Sequence, residues 1–270
     1  MLSSVVAALP FPDIDPIIFQ IGPLAIRWYA LAYIAGLMLG WKYVVRLVRQ
    51  DDDKAAMTIV QVDDFLVWAT VGVVLGGRLG YVLFYRPEFY LQNPAEILAV
   101  WQGGMSFHGG LLGVTVAMWL FSRKYDLSFF GVTDLISMAA PIGLFFGRLA
   151  NFINGELWGR TTDVAWAVAF PHGGPVPRHP SQIYEALLEG ALLFVILWVL
   201  RNKSGKAGLP GYLTGVFIAG YGATRFFVEF YREPDAHLGF LFAGATMGQL
   251  LSVPLILLGG WLMLRARKKA

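Results

Sequence analysis

The chain has 270 residues, of which 57% are hydrophobic and only 14% are charged. With a mean hydropathy of +0.59, this balance is typical of a membrane protein and excludes an ordinary soluble domain, a disordered chain and a fibrous repeat. The chain contains no cysteine, so it forms no disulfide, no thiolate metal site and no cysteine nucleophile. Any sulfur chemistry must therefore use a sulfur that a substrate supplies.

Seven apolar stretches are long enough to span a bilayer, which needs about 20 residues per helix. They predict helices at 22–45, 62–85, 106–122, 132–153, 183–201, 210–231 and 242–264. Two segments between them, Arg86–Met105 and Asn154–Gln182, are too long for tight turns. We therefore predict an all-α integral membrane protein of about seven transmembrane helices, forming a single polytopic domain over 1–270. An extracytoplasmic, head-like loop at 154–182 and a central polar cavity are expected within it.

The basic residues indicate how the chain crosses the membrane. Thirteen of the 21 follow the first, third, fifth and seventh stretches, and the other eight, all arginine, lie within stretches or at their opposite ends. The thirteen are Lys42, Arg46, Arg49, Lys54, Arg123, Lys124, Arg201, Lys203, Lys206, Arg265, Arg267, Lys268 and Lys269. Because basic residues mark the cytoplasmic side, the C-terminus is predicted in the cytoplasm and the N-terminus outside. Met1–Pro16 lacks the basic start of a cleavable export signal, so we expect it to be retained.

Ionisable side chains lie inside several stretches, where each is costly unless it is paired or faces water. In the sixth stretch, helical steps of four, four and three form one polar stripe of Tyr221, Arg225, Glu229 and Arg232. One interpretation is that Glu229 neutralises Arg225 and locks two helices together. Another is that Glu229 aims an arginine whose planar fork receives a phosphate. The two interpretations are compatible, and both stay open.

The fourth stretch ends in a dense group of hydrogen-bonding side chains. Two arginines, two asparagines and a glutamate fall within thirteen residues: Arg148, Asn151, Asn154, Glu156 and Arg160. By themselves, Asn154 and the glycine after it would form a simple helix C-cap. Lipid cannot satisfy so many polar groups, so the whole segment is predicted to line a polar cavity.

Two more polar segments flank predicted helices. Glycines on both sides of His108 allow close backbone approach, and the histidine is either a structural residue or a base, because neutral imidazole accepts a proton and arginine does not. After the long loop, Ser181 is a predicted N-cap, and Glu185 and Glu189 lie one turn apart on the fifth helix. His179 is expected to orient the loop.

Arginines in the outer half of a helical bundle, where the dielectric is low, are suited to holding one or two anionic groups such as a lipid phosphate. A lone anion site would serve a channel or carrier equally well. The accompanying histidine, carboxylates and amides favour chemistry on a phospholipid head group. No pair of His or Asp residues has a metal-binding spacing, so neither a metal nor another cofactor is expected.

Four motifs follow one another along the chain. They are GMSFHGG (104–110), GRLANFINGELWGR (147–160), HPSQIYE (179–185) and RFFVEFYREPD (225–235). In this order they resemble the signatures of the prolipoprotein diacylglyceryl transferase family, and the resemblance runs from Arg27 to the seventh stretch. One departure is Ala150, where many family members have glycine; the residue is still small.

The resemblance implies an enzyme of the bacterial plasma (inner) membrane. It would transfer the diacylglyceryl group of phosphatidylglycerol to the lipobox cysteine thiol of a preprolipoprotein signal peptide, forming a thioether and releasing glycerol phosphate. By similarity, Arg148 and Arg225 would hold the phosphate and head group, and His108 and Tyr29 would be essential. The other residues that the resemblance implies for the substrate site are Asn151, Asn154, Glu156, Gly159, Glu185, Tyr221, Glu229 and Arg232. Membrane lipids are expected partners, and nucleic acid is not.

The residue types fit this chemistry. A thiol with a pKa near 8.5 is mostly protonated at neutral pH, so a base such as His108 would raise the thiolate fraction; alternatively, His108 orients the head group. Arg148 and Arg225 would stabilise charge on the departing phosphate. Two other classes stay in view. An anion or lipid carrier predicts inverted repeats, which the sequence does not show, and a structural scaffold would tolerate Arg→Lys changes.

Overall fold

The structure is a computed structural model that describes residues 9–12, 14–22, 24–203, 208–234 and 239–268. Its α-helices are α1 (Trp28–Asp51), α2 (Ile59–Phe84), α3 (Pro87–Gln92), α4 (Phe107–Lys124), α5 (Phe129–Ile153), α6 (Ser181–Glu185), α7 (Leu193–Lys203), α8 (Tyr212–Val228) and α9 (Met247–Lys268). A π-helical segment, Ala186–Leu192, joins α6 and α7 into one continuous helix. Short 3-10 turns lie at Asp52–Lys54, Pro94–Leu98, Val100–Gln102 and Phe242–Gly244.

Every predicted apolar stretch coincides with one of these helices. Five are long and apolar enough to cross a membrane, namely α1, α2, α5, the continuous helix Ser181–Lys203, and α9. The predicted fold class, a mainly helical multi-pass membrane protein, is therefore confirmed, whereas the number seven stays a prediction. The other two helices are marginal, because α8 has only 17 residues and α4 carries His108 in its first turn and basic residues in its last.

By internal contacts the chain divides into two compact units. One unit contains Met1–Lys42 and Ile136–Ala270, and the other contains Tyr43–Leu135. The predicted single domain over 1–270 stays a prediction. The expectations for the N-terminal segment before Leu9 and for Lys206, Asp235 and Lys269 fall outside the described residues.

Short strands accompany the helices in the first unit. β1 (Leu9–Pro10) pairs in parallel with β4 (Val168–Ala169), and β2 (Ile17–Ile21) pairs antiparallel with β3 (Leu24–Arg27). Gly22, directly after β2, has a φ of +57°, which glycine adopts without strain. The first helix therefore begins at Trp28 and not at residue 22 as predicted, because the backbone before it pairs as a strand.

In the unit Tyr43–Leu135, glycines bring α2 and α4 into close contact. A Cβ added at Gly76 would lie 2.4 Å from the carbonyl oxygen of Gly109, and one added at Gly113 would lie 2.0 Å from the carbonyl oxygen of Gly72. Small residues permit such approach between membrane helices, whose association depends on van der Waals packing. Any larger side chain at these positions would force the two backbones apart.

The same unit contains an arginine, Arg78, that is only 4% exposed. Its Nε donates to the carbonyl oxygen of Ile97 at 2.8 Å, and Nη1 donates to that of Gly103 at 2.6 Å. Nη2 donates to the carbonyl oxygen of Glu96, and the guanidinium lies over the ring of Tyr90. The charge is thereby solvated by backbone dipoles, and it ties the segment before α4 to α2.

In the other unit, glycines likewise allow α8 and α9 to pack closely. A Cβ added at Gly215 would lie 2.7 Å from the carbonyl oxygen of Gly259, and one added at Gly259 would lie 2.4 Å from the backbone nitrogen of Ala219. The close approach of these backbones places the start of α9 beside the end of α8. The candidate site is built around that end of α8.

Replacing Gly113 by Ala is expected to destabilise the protein, because the added Cβ would lie 2.0 Å from the Gly72 carbonyl oxygen. Overpacking of this kind costs about 1–3 kcal/mol, so the melting temperature of the purified protein in detergent should fall. The control is Gly260→Ala on α9, where no neighbouring atom of the described chain lies within 4 Å of the added Cβ. Equal melting temperatures for the two variants would contradict the close packing.

Candidate active site

A buried carboxylate lies at the centre of the site. Glu185, the last residue of α6, has a side chain with 0% exposure and contacts three arginines. Its Oε2 lies 3.2 Å from Nη1 of Arg148, and its Oε1 lies 3.2 Å from Nη1 of Arg232. Oε1 also accepts from Nη1 of Arg225. A buried charge is costly unless it is paired, and three guanidinium groups meet that need.

Arg148, on α5, bridges two carboxylates that lie one helical turn apart. Besides Glu185, it contacts Glu189, whose Oε2 lies 3.4 Å from Nε and 3.2 Å from Nη2 of the arginine. A guanidinium carries five N–H donors, and the hydrogen bonds to Glu189 use one on Nε and one on Nη2. Both N–H groups of Nη1, which is ion-paired with Glu185, and one of Nη2 are left over, and the side chain is 17% exposed. The arginine is therefore fixed in place with donors to spare.

Arg225, near the end of α8, also lies between two carboxylates. Its Nη1 donates to Glu185, and its Nη2 pairs with Oε1 of Glu229 four residues later. Oε1 of Glu229 lies 3.8 Å from Nε of Arg232. The predicted pairing of Arg225 with Glu229 is confirmed, whereas the two interpretations of its role stay predictions. With Arg148 and Glu189, three guanidinium groups and three carboxylates share this cluster, so its formal charges balance.

The predicted helical stripe of the sixth stretch is only partly helical. α8 ends at Val228 and Glu229 is its C-cap, so the predicted span to residue 231 is too long. The chain then turns, with the N–H of Tyr231 donating to the carbonyl of Val228 at 2.9 Å. Arg232 lies in an antiparallel bridge with Gly159. This pairing with a distant loop ends the helix early. The Arg232 side chain nevertheless reaches Glu185 and Glu229.

A second polar group forms where α5 ends. The helix stops before Asn154, and Gly155 has a φ of +63°, which confirms the predicted C-cap. The side-chain amides of Asn151 and Asn154 donate to Oε1 of Glu156 at 2.8 and 3.4 Å. Tyr29, in the first turn of α1, interacts with Asn151 and Glu156. Two amides and a carboxylate thus form one hydrogen-bonded group at this helix end, while the hydroxyl of Tyr29 lies 3.3 Å from that of Tyr33.

Gly159 lies where no side chain fits. An added Cβ would lie 2.4 Å from the carbonyl oxygen of Tyr231 and 2.7 Å from that of His179. The N–H of Gly159 donates to the His179 carbonyl at 2.9 Å. Next to it, Arg160 donates from Nη2 to the carbonyl of Glu229 at 3.1 Å. The loop backbone is therefore tied directly to the chain that follows α8.

Ser181 is not the N-cap that its sequence position predicts. Pro180 occupies that position, and the Ser181 hydroxyl donates to the carbonyl of Leu157 at 2.9 Å. Leu157 has a φ of +59°, which is unfavourable for a branched side chain. Beside it, Nε2 of Gln182 donates to the carbonyl of Glu156. Buried loop carbonyls need donors, and here that need outweighs local helix capping.

His179 holds the loop through a chain of hydrogen bonds. Its Nδ1 lies 3.0 Å from the hydroxyl of Tyr184, which accepts from Nε1 of Trp166 at 2.7 Å. The Tyr184 hydroxyl therefore connects the ring of His179 with the indole N–H of Trp166. Burial lowers the pKa of His179.

His108 lies in the unit Tyr43–Leu135, in the first turn of α4. Ser106 is the N-cap of this helix, and its hydroxyl accepts from the N–H of Gly109 at 3.2 Å. The exposed imidazole packs edge-on against Phe107, with 5.7 Å between ring centroids. The helix start predicted for His108 is confirmed, whereas its role as a base stays a prediction.

Comparison with known proteins identifies the family. The family model described as prolipoprotein diacylglyceryl transferase matches residues 16–265. The chain belongs to this family. Relatives named phosphatidylglycerol–prolipoprotein diacylglyceryl transferase include one from Paramagnetospirillum magneticum, 63% identical over 268 residues, which are 97% of this chain and 99% of the relative. Another, from Azospirillum brasilense, is 59% identical over 97% of this chain and 98% of the relative. A third, from Rhizobium leguminosarum bv. trifolii, is 55% identical over 99% of this chain and 97% of the relative.

The resemblance inferred from the four motifs is thus confirmed, and the structure shows how most of the residues expected for this family are grouped. The ionic cluster contains Arg148, Glu185, Tyr221, Arg225, Glu229 and Arg232. The amide group contains Tyr29, Asn151, Asn154 and Glu156. Gly159 supports the loop from outside both groups.

Two residues of the ionic cluster were missed as site residues. Glu189 pairs with Arg148, and its spacing of four from Glu185 is the signal that could have found it. Thr246 donates a hydrogen bond from its hydroxyl to Oε2 of Glu229. The spacing of Thr246 and Gln249 marks only a helix start, and nothing in the sequence links this threonine to Glu229, because the two residues are far apart in the chain.

The stability of the folded protein is expected to fall as the medium becomes acidic. The pKa of His179 is lowered from its ordinary 6.5 by burial, so the unfolded chain binds the proton more tightly than the folded one. The stability that the neutral ring contributes is present above pH 6.5 and is lost as the pH falls towards the folded-state pKa. Melting temperatures of the wild type and of His179→Gln, measured between about pH 7.5 and pH 5, test this.

The His179→Gln variant should show a smaller loss than the wild type over this range, because glutamine does not titrate. A loss of the same size in both proteins would assign the pH dependence to other groups.

Proposed function

We propose that this protein transfers the diacylglyceryl group of phosphatidylglycerol to the lipobox cysteine of a preprolipoprotein signal peptide. The reaction forms a thioether, releases glycerol phosphate and is the first step of bacterial lipoprotein maturation. The observation that carries the proposal is the convergence of Arg148 and Arg225, from two helices, on one buried carboxylate. The names of relatives that are 53% to 63% identical support it. The cysteine-free chain fits, because the nucleophilic sulfur belongs to the substrate.

We place the reaction at the outer side of the bacterial plasma (inner) membrane. Basic residues occupy the last turns of α1, α4, α7 and α9, and such residues mark the cytoplasmic side. The C-terminus is then cytoplasmic and the N-terminus outside. The end of α5, the start of α6 and the end of α8 lie at the opposite side, with the segment 154–182 as an extracytoplasmic head. A central polar cavity between these helix ends would receive the lipid head group.

Arg148 and Arg225 bind the phosphate through N–H groups that the carboxylates leave free. Planar guanidinium groups match phosphate oxygens in charge-assisted hydrogen bonds. The cluster is neutral as a whole. The substrate's phosphodiester adds one negative charge to it when the lipid binds. This charge increases when the phosphate departs, and interactions that strengthen in the transition state accelerate the reaction.

The substrate thiolate attacks the glyceryl carbon that bears the phosphodiester. A carbon–sulfur bond forms while the carbon–oxygen bond to the phosphate breaks, and the phosphate leaves with the electron pair as glycerol phosphate. A base takes the thiol proton. We assign that role to His108 on its motif and on the exposure of its ring, because neutral imidazole accepts protons near neutral pH. Its alternative role is to orient the lipid head group.

The amide group at the end of α5 is the proposed contact for the hydroxyl groups of the lipid. Tyr29, Asn151 and Glu156 offer donors and acceptors next to one another. Within the described part of the chain, Oδ1 of Asn154 is buried without a hydrogen-bond partner. A buried acceptor without a donor is unfavourable, and a substrate hydroxyl would satisfy it.

The reaction is tested by incubating the purified protein in detergent with phosphatidylglycerol and a synthetic lipobox peptide. The peptide should gain the mass of one diacylglyceryl group, and a peptide with serine in place of the cysteine should gain none. A lipid or anion carrier would move its cargo without this covalent change. An unmodified cysteine peptide in the presence of active, folded protein would exclude the transferase.

Arg148→Lys and Arg225→Lys are each expected to lower kcat/KM by about a hundredfold or more, because lysine keeps the charge and loses the planar fork. The matched control is Arg46→Lys, because Arg46 is an exposed residue of α1. The measurement is the initial rate of peptide modification at varied phosphatidylglycerol. A scaffold role for the arginines would leave all three variants close to the wild type.

His108→Gln is expected to lower the rate and to flatten its pH dependence, because glutamine forms hydrogen bonds and does not accept the thiol proton. The measurement is thioether formation across the neutral pH range. Retained activity with an unchanged pH profile would remove His108 from the role of base.

A further inference from the structure

Thr246 precedes α9 and is only 2% exposed, and its hydroxyl is used twice. It accepts from the N–H of Gln249 at 3.3 Å, while Oε1 of Gln249 accepts from the N–H of Thr246 at 3.0 Å. This reciprocal pair is a capping box that begins the helix. The same hydroxyl donates to Oε2 of Glu229. One side chain therefore starts α9 and also holds a carboxylate of the ionic cluster.

Gly248, two residues further along, contacts the same carboxylate. A Cβ added at this position would lie 2.4 Å from Cδ and 2.5 Å from Oε1 of Glu229. Only glycine allows the backbone of α9 to approach the carboxylate this closely. The first turn of α9 thus contacts Glu229 through a hydroxyl and through a bare backbone surface.

The other contacts of Glu229 lead to arginines. Its Oε1 pairs with Nη2 of Arg225 and lies 3.8 Å from Nε of Arg232. Its backbone carbonyl accepts from Nη2 of Arg160 at 3.1 Å. With one carboxylate oxygen held by Thr246 and the other by Arg225, the plane of the carboxylate is set. The guanidinium of Arg225 lies between this carboxylate at Nη2 and that of Glu185 at Nη1.

We infer that Thr246 and Gly248 are positioning residues for phosphate binding. They hold Glu229 so that Arg225 presents its remaining N–H groups to the lipid phosphate. The inference rests on the proposed function and adds to it a requirement from α9, a helix that carries none of the four motifs. The competing explanation is that Thr246 only caps α9 and that Gly248 only permits packing.

Substitutions at Thr246 separate the two explanations. Thr246→Ser keeps both the cap and the donor and should have kcat/KM near the wild type. Thr246→Asp keeps the cap, since aspartate is a preferred N-cap residue, and replaces the donor by a carboxylate facing Glu229. Because small misplacements of binding groups are costly, kcat/KM should fall on the order of tenfold to a hundredfold. Wild-type activity in Thr246→Asp would reduce Thr246 to a helix cap and overturn the inference.

Gly248→Ala provides an independent test that leaves the cap intact. The added Cβ displaces the carboxylate of Glu229, so KM for phosphatidylglycerol should rise while KM for the lipobox peptide stays the same. The matched control is Gly260→Ala on the same helix, where the added Cβ meets no neighbour among the described residues. A partly unfolded enzyme would lose kcat at unchanged KM, so the rise in KM distinguishes positioning from a loss of folded protein.

The same assay distinguishes failure of the inference from failure of the proposed function. Wild-type protein that leaves the lipobox peptide unmodified would contradict the proposed function. An active wild type, together with a Gly248→Ala variant that matches Gly260→Ala in kcat and in KM for phosphatidylglycerol, would overturn the inference alone. The melting temperature of Thr246→Asp would show whether that variant folds. If it does not fold, the comparison of Gly248→Ala with Gly260→Ala still decides the question.

Discussion

A carboxylate with no solvent exposure, Glu185, holds the candidate site together. It pairs with Arg148 on α5, with Arg225 near the end of α8 and with Arg232 just after that helix. In a low-dielectric interior, an unpaired charge at this position would cost several kcal/mol. The dependence is mutual. The carboxylate is buried because the arginines converge on it, and the arginines converge because the carboxylate is fixed on a helix.

Two other carboxylates pair with the arginines and help to fix their orientation. Glu189 holds Arg148, and Glu229 holds Arg225, with Thr246 in turn fixing Glu229. Each arginine therefore has a set geometry before any substrate arrives, and preorganised donors stabilise developing charge without the cost of reorganisation. The neutrality of the whole cluster suits the proposed reaction, because an extra negative charge arrives with the lipid phosphate and grows as the phosphate leaves.

Backbone contacts, more than regular secondary structure, fix the loop that carries much of the site. The segment 154–182 contains a strand of only two residues, yet Gly159, Arg160 and Ser181 each hydrogen-bond a distant part of the chain. A Cβ at Gly159 would collide with two backbone carbonyls. The glycine in this motif is therefore required by packing.

Local properties of the sequence determined the membrane class, the helices, the C-cap at Gly155 and the family motifs, because hydropathy, helical spacing and turn preference depend on neighbouring residues. The pairing of Arg225 with Glu229 could also be predicted from the sequence, since residues four apart are neighbours on a helix. Only the tertiary structure decided that α8 ends at Val228, that Ser181 bonds a loop carbonyl and that Thr246 reaches Glu229. These depend on partners far away in the chain, and nothing in a residue's own neighbourhood specifies which distant group will need its hydrogen bond or its charge.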